Sequence, residues 1–140
     1  MATTPQQALS RLRELAASGE LARWCRRLGI DLLVAFGSAT DPHRAEHARD
    51  LDLAMLIAPE ADTAVVDVVN AVVDLVHCDR VDALDLSRAG VVAQEQALVG
   101  TLPLYEREPG TLAAIRDRAI VQRMDTDWLR RLDVDVMASS

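Results

Sequence analysis

Two apolar runs separated by a polar excursion constrain this chain more than any other feature. Residues 33–57 read LVAFGSATDPHRAEHARDLDLAMLI. The run DLLVAF (31–36) has the length and continuity of a strand buried on both faces, and it ends in Gly37-Ser38. The run LDLAMLI (51–57) is a second such strand, closed by Pro59 and preceded by Asp50. Residues 39–49 between them are polar and mixed in charge, which predicts a loop with at most a helical turn. Alternate residues of a strand share a face, so Asp50 and Asp52 point the same way. Two carboxylates beside a glycine turn, where backbone can approach a phosphate closely, predict a site for a metal and a nucleotide.

The rest of the chain supplies helices and a third and fourth strand. Thr3 or Thr4 can cap a first helix with Pro5 in its first turn; Leu9, Leu12, Leu15 and Ala16 give its apolar stripe, and Gly19 ends it. A second helix, 20–28, gathers Leu21, Trp24, Cys25 and Leu28 on one side before Gly29. Over 62–77 the valines 65, 66, 69, 72, 73 and 76 fall at helical spacing, despite the low helix propensity of β-branched residues. RVDALDL (80–86) is a third strand, and Ser87 can cap the next helix, which runs up to Gly100. TLPLY (101–105) is an edge strand, because Pro103 cannot donate to a central ladder. A long helix is predicted over 111–136, with Leu112, Ile115, Ala119, Ile120, Met124, Trp128 and Leu132 as its stripe. Alternating helices and strands over 1–140 predict one α/β (α+β) domain with a small mixed sheet flanked by helices.

Charge and cysteine content narrow the function. All 15 basic residues are Arg, and the net charge is −7. An acidic chain is a poor match for broad nucleic-acid binding, so none is expected. Arg26-Arg27 and Arg130-Arg131 read as solvated helix faces. Without lysine, phosphate contacts must come from arginine forks, backbone N–H groups or a metal. Cys25 and Cys78 are too few for a disulfide framework and read as buried small hydrophobes. The N-terminus carries charge where a signal peptide is apolar, and no apolar run approaches the ~20 residues of a membrane span. A cytoplasmic protein without membrane contact is expected.

Nucleotidyl transfer calls for Mg²⁺, which is held by a few carboxylates while phosphate oxygens and waters complete its octahedron. Two such ions clamp the attacking and leaving oxygens, and Asp50 and Asp52 have the spacing to bridge them. A third carboxylate on an adjacent strand would serve as general base. Asp82 is preferred for that role: between Val81 and Ala83, a buried carboxylate needs a reason such as a metal. Asp85 lies near the following helix and can instead close a turn. Gly37 and Ser38 would seat the triphosphate. His43 and His47, four apart, suggest a metal only if Cys78 joins them, and no fourth ligand is evident. Tyr105 and the two tryptophans read as packing groups.

FGS, eleven residues, DLD, then VDALDL and LYE resemble the minimal nucleotidyltransferases of the DNA polymerase β superfamily over about residues 28–106. That family's pattern is Gly-Ser, ten residues, Asp-x-Asp, then a strand close to VDLVDL. The resemblance implies the nucleotidyltransferase fold, and an antitoxin that transfers AMP from ATP to a tyrosine of a partner HEPN-domain ribonuclease toxin, with which it forms a hetero-oligomer. It implies that Asp50, Asp52 and Asp82 bind Mg²⁺ and carry catalysis, and that Gly37 and Ser38 bind nucleotide. The chain departs from the pattern in the loop. Its length is eleven, it holds no glycine, and Arg49 stands where Ser commonly precedes the first Asp. Arg44 or Arg49 can replace the missing phosphate contacts, and a solvated loop charge is the equal alternative for either. Two other readings stand beside this one. One is a catalytically weakened antitoxin that binds through the Met124–Trp128–Leu132 stripe and the sheet edge. The other is nucleotidyl transfer to a small molecule such as an aminoglycoside.

Overall fold

A computed structural model describes residues 3–122 and 124, and the structure below is that of these residues. Helix α1 (Pro5–Ser18) begins at Thr4, whose hydroxyl accepts the Gln7 N–H while the Gln7 side chain takes the Thr4 N–H in return. Thr3 ties the start of the chain to a distant helix end, its hydroxyl donating to the Val76 and His77 carbonyls and its N–H to the latter. Gly19, in the left-handed region, closes α1 and leads into α2 (Glu20–Leu28).

Four strands follow: β1 (Ile30–Phe36), β2 (Leu51–Ile57), β3 (Val81–Asp85) and β4 (Leu102–Glu106), in the sheet order β3-β2-β1-β4. The β1–β2 and β1–β4 pairs are antiparallel and β2–β3 is parallel, so the sheet is mixed. Pro103 lies on an edge strand, as its missing donor requires. Helix α3 (Val65–Val76) makes the crossover between the parallel strands. It starts three residues later than its valine pattern predicts, where the Asp67 carboxylate reaches back to accept the Ala64 N–H. Burial of Val68, Val72 and Val76 outweighs their poor helix propensity.

Helix α4 (Val91–Leu98) corrects one expectation. Its cap is Gly90, not Ser87. Ser87 instead donates its N–H and hydroxyl to Asp85, which closes the turn after β3. The last helix, α5, is helical over 111–122. The predicted extension to 136, with Trp128 and Leu132, lies outside the described residues.

Both faces of the sheet are covered, but unequally. One face carries Leu33, Ala35, Leu51, Leu53 and Met55, packed against Leu12 and Leu15 of α1, Leu21 and Cys25 of α2, and Val68 and Val72 of α3. The other carries Leu32, Val34 and Ala54 against Ala97 and Leu98 of α4 and Leu112 and Ala119 of α5. Cys25 and Cys78 are unpaired and fully buried. Burial pushes the Cys25 thiol up to about 12, which leaves it unreactive at neutral pH. No helix among the described residues is long and apolar enough to cross a membrane.

Candidate active site

Strand register builds the site. Ala54 pairs with Val34 on one side and Leu84 on the other, an apolar row across the sheet on the α4/α5 face. Two residues toward the β2 start, the next row on this face is Phe36, Asp52, Asp82. Asp52 and Asp82 are thus direct neighbours across the parallel pair, and Asp50 stands just before β2. Asp85, three residues beyond Asp82, faces its own turn and pairs loosely with Arg88. Asp82 therefore lies in the row with Asp52, and Asp85 lies in the turn after β3. One detail differs: Asp82 was expected to be a buried acid, yet it is exposed, because β3 is an edge strand and its start is uncovered.

Gly37 follows Phe36 with φ +79°, and a Cβ built there would collide with Asp52 Oδ2. Only glycine permits both that backbone conformation and that approach. Its carbonyl accepts the Thr40 hydroxyl at 2.7 Å, which fixes the turn. Ser38 then enters a short 3₁₀ turn, Ser38–Thr40, and a second, Ala45–His47, precedes Asp50. The loop read from the sequence is therefore two 3₁₀ turns joined by a hydrogen-bonded turn over 42–44.

Electrostatically, the acids form an uncompensated group. Among the described residues, the carboxylates of Asp50, Asp52 and Asp82 accept no hydrogen bond and lie within ion-pair distance of no base. Partial burial, then the charges of Asp82 and Asp50, hold the Asp52 carboxyl above its ordinary value. A cavity of about 380 Å³ opens in front of them, lined by Ser38, His43, Arg44, His47, Arg49, Asp50 and Asp52. Its lining combines acidic and basic side chains. A larger cavity of about 520 Å³ lies between α1, α2 and α3 around Trp24 and holds none of these acids. His43 and His47 do come together at the cavity, whereas Cys78 is buried in the core, so the three-ligand reading of those residues is not met. Tyr105 is a packing residue as expected; its buried hydroxyl has no partner among the described residues.

No family model and no curated protein matches the chain. Solved structures do. A mutant of the toxin–antitoxin MntA–HpeT matches with a TM-score of 0.65 at 19% identity, over 85% of this chain and 96% of that one. A toxin–antitoxin with AMP-PNP gives 0.64 at 21%, over 84% and 94%. The chain has the MntA fold. An MNT antitoxin in complex with the tri-AMPylated HEPN toxin of Shewanella oneidensis gives 0.63 at 20%, over 89% and 98%.

Within the MntA fold of this chain, the donor set suits a hard divalent cation that keeps part of its shell for phosphate and water. Among the described residues no three His, Cys, Asp or Glu side chains converge into a metal-binding group. Mg²⁺ seldom uses an all-protein cage and takes one or two carboxylates plus substrate oxygens. The raised Asp52 carboxyl, with two like charges beside it and no base, is an observation that such a cation would answer.

Proposed function

We propose that this chain is a Mg²⁺-dependent nucleotidyltransferase that transfers AMP from ATP to a tyrosine of a partner HEPN ribonuclease toxin, and so acts as its cytoplasmic antitoxin. The observation that carries the reading is the acidic row on the open end of the sheet, with Gly37 seated against Asp52. The MntA fold supports it, since structures with that fold include one with AMP-PNP and one with an AMPylated HEPN toxin.

In this reading Asp50 and Asp52, with Asp82 beside them, would hold Mg²⁺, which when bound neutralises phosphate charge and lowers the barrier to attack at phosphorus. Ser38 and the tight Gly37 backbone seat the triphosphate against the acids. Asp82, exposed at the sheet edge, would meet an acceptor arriving from solvent and take the tyrosine proton. The tyrosine oxygen then bonds to the α-phosphorus as the bond from that phosphorus to the β-phosphate oxygen breaks, releasing pyrophosphate. Exposure of the acceptor side suits a protein substrate better than an enclosed small molecule, which would need walls that these described residues do not provide.

The test is direct. Purified chain is incubated with Mg²⁺, α-labelled ATP and the HEPN toxin encoded beside it. Label on a toxin tyrosine, with loss of its RNase activity, is the expected outcome. An unlabelled toxin that is nevertheless silenced by equimolar chain would refute the enzymatic reading and leave an antitoxin that acts by binding.

A further inference from the structure

Helix α2 carries charge that neither the core nor the acidic site uses. The cavity of about 520 Å³ between α1, α2 and α3 has an apolar lining from Leu15, Leu21, Trp24 and Leu75. Arg23, Arg26 and Arg27 line it as well, and all three are exposed. None of the three guanidiniums makes an ion pair or a hydrogen bond among the described residues. Arg26 and Arg27 lie in the last turn of α2, where the negative end of the helix dipole favours them. That account leaves out Arg23, which stands three residues from one and four from the other. Like charges at those spacings repel on a helix surface. Glu20, the acid in the lining, is beyond ion-pair distance of all three.

Trp24 is the second observation. Aromatic residues are scarce in this chain, with two Trp, one Tyr and one Phe, yet Trp24 is half-buried: it packs against the core and also lines the cavity. A part-exposed tryptophan among unpaired arginines is the composition of the anchors that carry most of the energy in protein interfaces. We propose that this cavity docks the partner protein, through a segment that sets an apolar side chain on Trp24 and carboxylates on Arg23, Arg26 and Arg27. The proposal rests on the antitoxin reading and adds a separate docking contact to it. Charge complementarity favours this occupant, because three free guanidiniums against one carboxylate call for an acidic segment. A second copy of a chain with net charge −7 would be repelled as a whole. A small polyanion would leave the tryptophan and leucines uncovered. The helices around the cavity cover one face of the sheet, whereas the acids end the other face. The docking segment and the acceptor tyrosine are therefore different parts of the partner, and docking needs no nucleotide.

The experiment measures binding of the full chain to the HEPN toxin encoded beside it, without nucleotide, at low and high salt. AMP transfer is then followed as a function of toxin concentration. The variants are Trp24→Ala and the double exchange Arg23→Glu with Arg27→Glu; a thermal melt checks both, and the exposed arginine positions are compatible with folding. Trp24→Ala should weaken the toxin complex at least about thirtyfold, the scale of an interface anchor. The arginine exchange should weaken it about tenfold and remove most of its salt dependence. Both should raise KM for the toxin and leave kcat at saturating toxin, and the affinity for Mg·ATP, unchanged. A toxin that wild type labels, and that both variants bind and label equally well, would overturn the docking surface alone. A toxin that is bound through the cavity but never labelled would uphold the surface and overturn the transferase reading. A wild-type chain that neither binds nor labels the toxin would overturn both. A dimer of the chain alone, seen by light scattering and lost in Trp24→Ala, would give the surface to a second copy and overturn the assignment.

Discussion

The two faces of the sheet are built from the same apolar strands and end differently. The face toward α1, α2 and α3 is sealed along its length: Leu33, Leu51, Leu53 and Met55 are all fully buried. The face toward α4 and α5 is sealed over the rows of Leu32 and Val34, then gives way to the row of Phe36, Asp52 and Asp82. Where covering helices stop, unpaired charge is tolerated, because water or a ligand can reach it. The first face holds the domain together and the second exposes chemistry at its open end. Substitutions should therefore separate cleanly into those that cost stability and those that cost function.

The largest effect expected is on function. Asp52→Asn should reduce AMP transfer by at least ~10²–10³-fold, the scale for losing one group that stabilises transition-state charge. The same variant should keep a cooperative melt. Measured together, labelling and melting decide whether the acidic row is chemical or structural. A variant that transfers AMP normally would break the division between the faces.

Leu33→Ala tests the other face. A fully buried leucine in the larger core should cost about 2–5 kcal/mol on truncation, read as a drop in the denaturant midpoint. Transfer activity per folded molecule should be retained, because Leu33 faces away from the acids. Gly37→Ala lies between the two cases. It places a methyl against Asp52 in a left-handed backbone conformation, so it should cost about 1–3 kcal/mol and impair ATP binding as well. Selective loss of stability with normal nucleotide affinity would show that the turn shapes the chain and not the site.

How much of this the sequence reveals also divides by face. Continuous apolar runs locate β1 and β2 to within one residue of Ile30–Phe36 and Leu51–Ile57, since burial on both faces leaves little ambiguity. Alternation brings Asp50 and Asp52 to the same side. Register is another matter. That Asp52 meets Asp82, and not Leu84, is decided by how α3 packs between parallel strands, a long-range fit that no local pattern encodes. Ser87 illustrates the limit in a turn: its type suits a cap, but Asp85 two residues earlier captures both its donors. That Ser38, Arg44 and the acids line one cavity is also hidden, because the loop over 39–49 runs through two 3₁₀ turns that no local pattern specifies.

The smallest expected effect is the most diagnostic of the acidic row. Burial and two like charges raise the Asp52 carboxyl above its unfolded value of ~3.9. The folded state then holds that proton more tightly than the unfolded chain. Its contribution to stability is fully present below the unfolded value and is lost as pH rises through the higher folded one. Asp52→Asn carries no charge to lose. Its stability relative to wild type should therefore grow across that window and level off at neutral pH. Facing like charges across a sheet cost about 0.2–1 kcal/mol, so the plateau should be of that size, vanishing near pH ~3. Adding Mg²⁺ at neutral pH should narrow the gap by stabilising wild type alone, through preferential binding to the folded state. Urea melts of both proteins between acid and neutral pH, with and without Mg²⁺, check both signs. A gap that is constant with pH and blind to the cation would mean that Asp52 contributes by packing, and the two faces would then differ in cover but not in purpose.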